Sequence, residues 1–315
     1  MPVFKIHHVT RYDYDRPVRE SVNEIKIFPY VCDEQYVKSQ QITITTDPDV
    51  EYFTDYWGNK TGFFNVLPLH NNLIIESQLV VSTQDKIEKP MNYQTGFAAL
   101  QKEIHNNIRL LELANADAIK NQHVIESICN EITTGATSIA AIAENCAAYI
   151  FKNFTYTKGI TNIETTVDEI LEHRGGVCQD FAHLMLQILN TLKIPARYVS
   201  AYICPNKSGL RGEGATHAWV DVFIPGYGWA GIDPTNNIWV TNNHVKLAMG
   251  RHFNDCSPIR GTFKGPAKQK LSVYVSVGYE DGHIFEEVHN VKMEVSPSDL
   301  KEQKTDIILA GQQQQ

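Results

Sequence analysis

The 315-residue sequence predicts an α+β fold: an all-β, sandwich-like N-terminal domain, then a mixed helix and strand core, then C-terminal strands. Three observations carry this. Residues 1–85 hold short β-branched and aromatic runs separated by turn residues. From about residue 96 apolar residues recur at three- and four-residue spacings, the helical period. After Pro195 strand-like runs return, punctuated by Pro225-Gly226-Tyr227-Gly228 and Asp281-Gly282. The expected units are residues 1–85, a linker at 86–95 around Pro90, a core at 96–265, and C-terminal strands and tail at 266–315.

In order, residues 5–14 alternate loosely until Pro17 breaks the pattern, and a second strand is expected within residues 21–29. Residues 41–46 are a β-branched run closed by Asp47-Pro48-Asp49. Asp55 to Lys60 reads as a hairpin turn in which Gly58-Asn59 supplies positive φ, leading to strands at 61–66 and 73–83. Helices are expected over 98–113, 116–131, 138–151 and 166–171. Another begins at Cys178, carries Phe181, Leu184, Met185, Ile188, Leu189 and Leu192, and stops at Pro195. Strands follow at 196–203, 216–224 and 229–233, then at 271–278 and 284–295, which are expected to rejoin one sheet or the other. The polar segment 204–215 reads as a surface loop and candidate lid, and Gln312 to Gln315 as a frayed end.

The formal net charge of −8, with no long basic run, argues against nucleic acid or anionic lipid as a partner. No signal-peptide pattern opens the sequence and no stretch approaches about 20 apolar residues, so a cytoplasmic location is expected, and the sequons at Asn59, Asn153 and Asn206 carry no weight. The six cysteines are scattered without a C-x-x-C pair, so free thiols are expected, with no disulfide framework, metal or cofactor.

Chemistry concentrates at Arg174-Gly175-Gly176-Val177-Cys178. A cysteine in a first helical turn sits at the positive end of the helix dipole, which favours thiolate. Along 216–224, period two separates Ala218, Val220, Val222 and Ile224 from His217 and Trp219. A turn centred on Gly226 makes His217 face position 235, with Asp233 its diagonal neighbour; a one-residue slip would destroy this. Cys178, His217 and Asp233 are thus the candidate nucleophile, base and orienter for acyl transfer through a thioester. The Cys178 backbone N–H and Tyr156 are candidate oxyanion donors, and Gln179 and Trp219 further oxyanion or cleft candidates. His173 and His183 read as structural or rim residues, Asp180 as a first-turn helix acid, and Trp229 and Trp239 as core or cleft wall.

Residues 174–184, 194–199, 216–222, Gly228-Trp229 and Asp233-Pro234-Thr235-Asn236 resemble the bacterial transglutaminase-like superfamily, whose members share a papain-like α+β core. The resemblance implies Cys178, His217 and Asp233 as the triad. Tyr12-Asp13-Tyr14, Pro17-Val18, Pro29 and Asp55-Tyr56-Trp57-Gly58-Asn59 resemble the β-rich N-terminal domain of one bacterial branch, and residues 254–261 its post-core segment. No acidic cluster is spaced as a calcium site, so calcium dependence is not implied. The expected function is cysteine-dependent hydrolysis of amide or peptide bonds in a peptide or protein substrate. Transfer to an amine, a non-catalytic scaffold, and a metal site built from the same three residues are the alternatives.

Overall fold

The computed structural model describes residues 1–84, 92–204, 210–212 and 216–279, with the backbone of 284–285 and 291–295. The N-terminal half contains β1 (Val3–Ile25), β2 (Gln35–Ile44), β3 (Glu51–Thr54), β4 (Lys60–Val66) and β5 (His70–Thr83). Pro17 does not end the first strand. It lies where the register against β5 shifts, between Asp13 and Val18, and from Ser21 onward β1 pairs with β4 instead. A proline cannot donate to a ladder, so it is tolerated where partners change. The β3–β4 hairpin turns at Gly58, whose φ is +87°, while Asn59 needs no positive φ. Its Asp55 Oδ1 accepts the N–H groups of Trp57 and Asn59.

The helices are α1 (Phe97–Ile104), α2 (Ile108–Glu112), α3 (Gln122–Thr133) and α4 (Ile139–Asn153). The helix expected over 98–113 is broken because Asn107 caps a new start, its side chain accepting the N–H groups of Arg109 and Leu110. Ser138 caps α4 by accepting from Ala141 N–H. After β6 (Thr155–Tyr156) come α5 (Val167–His173), β7 (Gly175–Gly176) and α6 (Cys178–Thr191).

The core sheet is built from β8 (Ala196–Ile203), β9 (Thr216–Ile224), β10 (Gly228–Asp233), β11 (Ile238–Trp239) and β12 (His244–Gly250), in the order β11-β10-β9-β8-β12. Sequence patterning missed β11 and β12, which are short or carry charged and glycine residues. The β9–β10 register pairs Ile224 with Gly228, Val222 with Ala230 and Val220 with Ile232, the pairing expected for a turn centred on Gly226. Ala218, Val220, Val222, Ala230 and Ile232 share one buried cluster with Leu184, Met185 and Ile188 of α6. Each fully buried Val, Leu, Ile or Met side chain there contributes roughly 1.5–3 kcal/mol. From Cys178 to Asn190 every residue of α6 is buried, so it is a central helix and not a surface one.

The chain ends with α7 (Phe253–Cys256), β13 (Ile259–Lys264), β14 (Gln269–Tyr279), β15 (Ile284–Phe285) and β16 (Val291–Val295). The stretch 258–266, though it holds two prolines and two glycines, contains this strand β13. β14 pairs antiparallel with β1 from Phe4↔Tyr279 to Tyr14↔Gln269, and β13 pairs with the far end of β1. The C-terminal strands therefore complete the N-terminal sheet. Tyr202, Val245 and Leu247 of the core sheet, with Cys204 just after β8, join the cluster formed by Phe4, Ile6, Leu79 and Val277. The core sheet lies between α6 on one face and the β-rich half on the other. Most of the segment expected as a lid (205–209 and 213–215), most of the linker, and the glutamine-rich end lie outside the described residues. Among the described residues no helix is long and apolar enough to cross a membrane.

Candidate active site

The turn into α6 is built from glycines because nothing larger fits. β7 pairs in parallel with β6, Thr155 opposite Gly175 and Tyr156 opposite Gly176. A Cβ on Gly175 would lie 3.0 Å from the Thr155 carbonyl oxygen, and one on Gly176 would lie 2.5 Å from Asp180 Oδ2. That carboxylate accepts the Val177 N–H at 2.8 Å and the Thr161 hydroxyl at 2.7 Å. Asp180 is thus more than a helix-dipole acid: it pins the backbone immediately before Cys178. Burial raises its pKa, against these two hydrogen bonds. Cys178 opens the helix fully buried, and five of the six cysteines are buried, with all six free.

His217 and Asp233 are fully buried as well. His217 Nε2 meets Asp233 Oδ2 at 2.8 Å, which aims Nδ1 the other way. Nδ1 is buried and makes no hydrogen bond of normal geometry. Burial disfavours the imidazolium and is the largest influence on it. The Asp233 carboxylate and Cys178 together outweigh it, and the His217 pKa is raised to about 10. Asp233, also opposed by burial, is held well below the usual carboxylate range by His217, with a smaller contribution from His244. The structure thus brings together Cys178, His217 and Asp233 from α6, β9 and β10.

Two groups that sequence reading did not single out for a role also hold Asp233, and a third, His244, stands near it. Its Oδ1 accepts the Thr235 N–H at 2.8 Å, and its Oδ2 accepts Asn236 Nδ2 at 2.7 Å. His244 Nε2 stands 3.9 Å from Oδ2, too far for a hydrogen bond. His244 Nδ1 accepts the Thr241 N–H at 3.2 Å, so in the neutral ring the proton sits on Nε2, facing the carboxylate. The turn residues after Asp233 were a usable signal for Thr235 and Asn236. His244 had none, because β12 itself was not legible.

Tyr156 lies beside Gly176 and edge-on to Phe181. A Cβ on Gly212 would lie 3.8 Å from its hydroxyl oxygen and 3.1 Å from His217 Nδ1, so Tyr156 and His217 meet under the same backbone. Gln179 is buried with Oε1 unpartnered. That atom accepts rather than donates and could receive a substrate N–H. Trp219 gives its indole N–H to Asp221 Oδ1 at 3.0 Å, so that donor is already committed. Its ring packs edge-on against His244 and walls a cavity of about 390 Å³, shared with Tyr30, Trp229 and Trp239, between the core sheet and the N-terminal half. His183 points into a different cavity of about 560 Å³, stacks on His252, and accepts the Phe253 N–H. Among the described residues no group of three or more His, Cys, Asp or Glu side chains is arranged to hold a metal ion.

With this geometry, comparison with known proteins is informative. A sequence model of the transglutaminase-like superfamily matches residues 126–234, and one of the bacterial transglutaminase-like N-terminal region matches residues 4–82. An uncharacterized protein of Mycobacterium bovis is 30% identical over 278 residues, spanning 82% of this chain and 86% of that protein. A protein-glutamine gamma-glutamyltransferase of Pseudomonas aeruginosa is 28% identical over 158 residues, 48% of this chain and 22% of that one. A crystal structure described as a "Putative Cysteine Protease" from Cytophaga hutchinsonii shares the fold, with a TM-score of 0.71 at 20% identity, covering 92% of this chain and 96% of that one.

Proposed function

The chain belongs to the transglutaminase-like superfamily, and from that premise we propose that it is a cysteine-dependent hydrolase of amide or peptide bonds. The observation that carries this reading is the orientation of His217: Nε2 is occupied by Asp233, and Nδ1 is left for the thiol and the substrate. The Cys178 thiolate attacks the substrate carbonyl carbon. The oxyanion that forms is stabilised by the Cys178 backbone N–H and the Tyr156 hydroxyl. His217 gives its proton to the leaving amine as the C–N bond breaks, which leaves a thioester. His217 then takes a proton from water as its oxygen attacks the thioester; the C–S bond breaks, the acid leaves, and the Cys178 thiolate and protonated His217 are restored. Asp233 keeps the imidazole in one orientation and stabilises its charged form.

A second reading, transfer of the acyl group to an amine, is favoured by the likeness to the gamma-glutamyltransferase. The two differ only in what attacks the thioester. A peptide-hydrolysis screen run beside incorporation of a fluorescent amine separates them: release of acid without amine incorporation supports hydrolysis, and the reverse supports transfer. Cys178→Ala is expected to abolish either activity with the fold intact. Turnover unchanged in that variant would mean that Cys178 is not the nucleophile.

A further inference from the structure

Asn236 touches two things at once. Its Nδ2 donates to Asp233 Oδ2 at 2.7 Å and to the Arg211 carbonyl oxygen at 3.2 Å, while its Oδ1 accepts the Arg211 N–H at 2.7 Å. One carboxamide therefore binds both backbone groups of Arg211 and the triad candidate's carboxylate. Only an amide offers two N–H donors and an acceptor in this arrangement. Arg211 is fastened a second time, its guanidinium lying 4.2 Å above the Phe151 ring of α4 and donating at 3.5 Å to the Thr235 carbonyl oxygen.

The next residue shows what is being held in place. Gly212 has φ +79°, a conformation that favours glycine, and its backbone lies against the Nδ1 edge of His217. That edge is the one left open by the His217–Asp233 pair, and a substrate carbonyl must pass it to reach Cys178. Here Cys178 is fully buried.

We propose that Asn236 is a positioning residue that latches the Arg211–Gly212 backbone over His217 and, through the same amide, orients Asp233. The inference rests on the triad reading above and extends it: access to the thiol and alignment of the triad are coupled through one side chain. Opening for substrate breaks the two Asn236–Arg211 bonds. The Asn236–Asp233 bond is separate from these two, so cover over the thiol and alignment of Asp233 are lost together only when Asn236 itself is removed.

The test uses the full-length protein and two variants, Asn236→Ala and Arg211→Ala, with the rate of Cys178 alkylation by iodoacetamide followed by peptide mass mapping. In Asn236→Ala alkylation should be about tenfold faster, as expected when a closed state loses two hydrogen bonds. Turnover of whatever substrate the hydrolysis and amine screen identifies should fall in kcat by about tenfold, because Asp233 loses a donor as well. In Arg211→Ala both bonds to the Arg211 backbone and the Asn236–Asp233 bond remain and only the guanidinium contacts to Phe151 and Thr235 are lost, so alkylation should speed up less than in Asn236→Ala and kcat should fall much less. An unchanged alkylation rate in Asn236→Ala overturns the latch. Equal kcat losses in the two variants overturn the coupling to Asp233. The alkylation arm reads only cover over the thiol, so it is decided even if Cys178→Ala leaves turnover intact, a result that would sink the triad reading alone.

Discussion

Two regions of this molecule each bury a histidine completely, and they treat it in opposite ways. His8, on β1, lies where the β-rich half meets the core sheet. Its Nδ1 shares a hydrogen bond of 2.6 Å with the Tyr202 hydroxyl, and its Nε2 one of 3.1 Å with Thr10 Oγ1. Burial, reinforced by the nearby His7, lowers its pKa to about 3. His217 is just as deeply buried, yet its pKa is raised to about 10. Burial disfavours charge in both. What differs is the neighbour: hydroxyls solvate His8 as a neutral ring, whereas the Asp233 carboxylate makes the imidazolium of His217 the stable form. The neutral histidine joins two sheets, and the charged one sits beside a cysteine.

Asp233→Asn should erase that difference, with the largest effect expected. The amide keeps the shape and removes the charge, so the His217 titration, followed by NMR, should fall from about 10 to below the ordinary histidine value of about 6.5. Activity should drop on the order of 10⁴-fold, the cost of the corresponding exchange in a serine triad. Stability carries the same sign. A raised folded-state value means that His217 contributes stability fully present below about pH 6.5 and lost as pH rises through about 10. Urea denaturation should show that alkaline dependence in the parent protein and not in the variant. A His217 titration that stays high in Asp233→Asn would mean that Cys178 alone sustains the charge.

His8→Gln tests the other side. The glutamine can still reach Tyr202 and Thr10, but it does not titrate. Because the folded-state value of His8 is depressed to about 3, the unfolded chain takes up its proton first as pH falls below about 6.5. The parent protein should therefore lose roughly 2 kcal/mol by pH 5 through this residue alone. Urea unfolding at pH 7 and pH 5 should show a smaller acid loss in His8→Gln by about that amount. Equal acid losses in the two proteins would mean that His8 already carries a proton in the fold.

These two regions also differ in how legible they were. The core was readable because its pattern is local: the glycines, the cysteine and the helix they start are contiguous, and the β9–β10 register follows from one short turn. The faces of Val220, Val222, Ala230 and Ile232 then came from strand alternation alone. The β-rich half was readable as strands but not as a sheet. β1 pairs with β14, so Phe4 lies opposite Tyr279, and no local signal encodes a contact between opposite ends of the chain. Pro17 misled for the same reason. It marks a change of partner within one strand, and that can be seen only when both partners are known. His244 was invisible because its role depends on β12 folding back to set its ring 3.9 Å from Asp233.

The smallest expected effect separates nearness in sequence from nearness in chemistry. Thr166 caps α5, the helix that leads into the glycine turn. Its hydroxyl oxygen accepts the Glu169 N–H at 3.3 Å, and Glu169 Oε2 accepts the Thr166 N–H at 2.7 Å. Thr166→Ala removes the first of these bonds together with the hydroxyl's own donation to Glu169 Oε2, and should cost about 1 kcal/mol, read as a lower urea midpoint at unchanged slope. The loss should be the same at pH 5, 7 and 9, since neither His8 nor His217 touches the cap. Activity per folded molecule should not change. Ile170 and Leu171 still anchor α5 in the core, and Asp180, not α5, holds the Val177 N–H before Cys178. A kcat that falls with the cap would instead make the start of α5 part of what places the thiol, and the glycine turn would then be positioned from both of its ends.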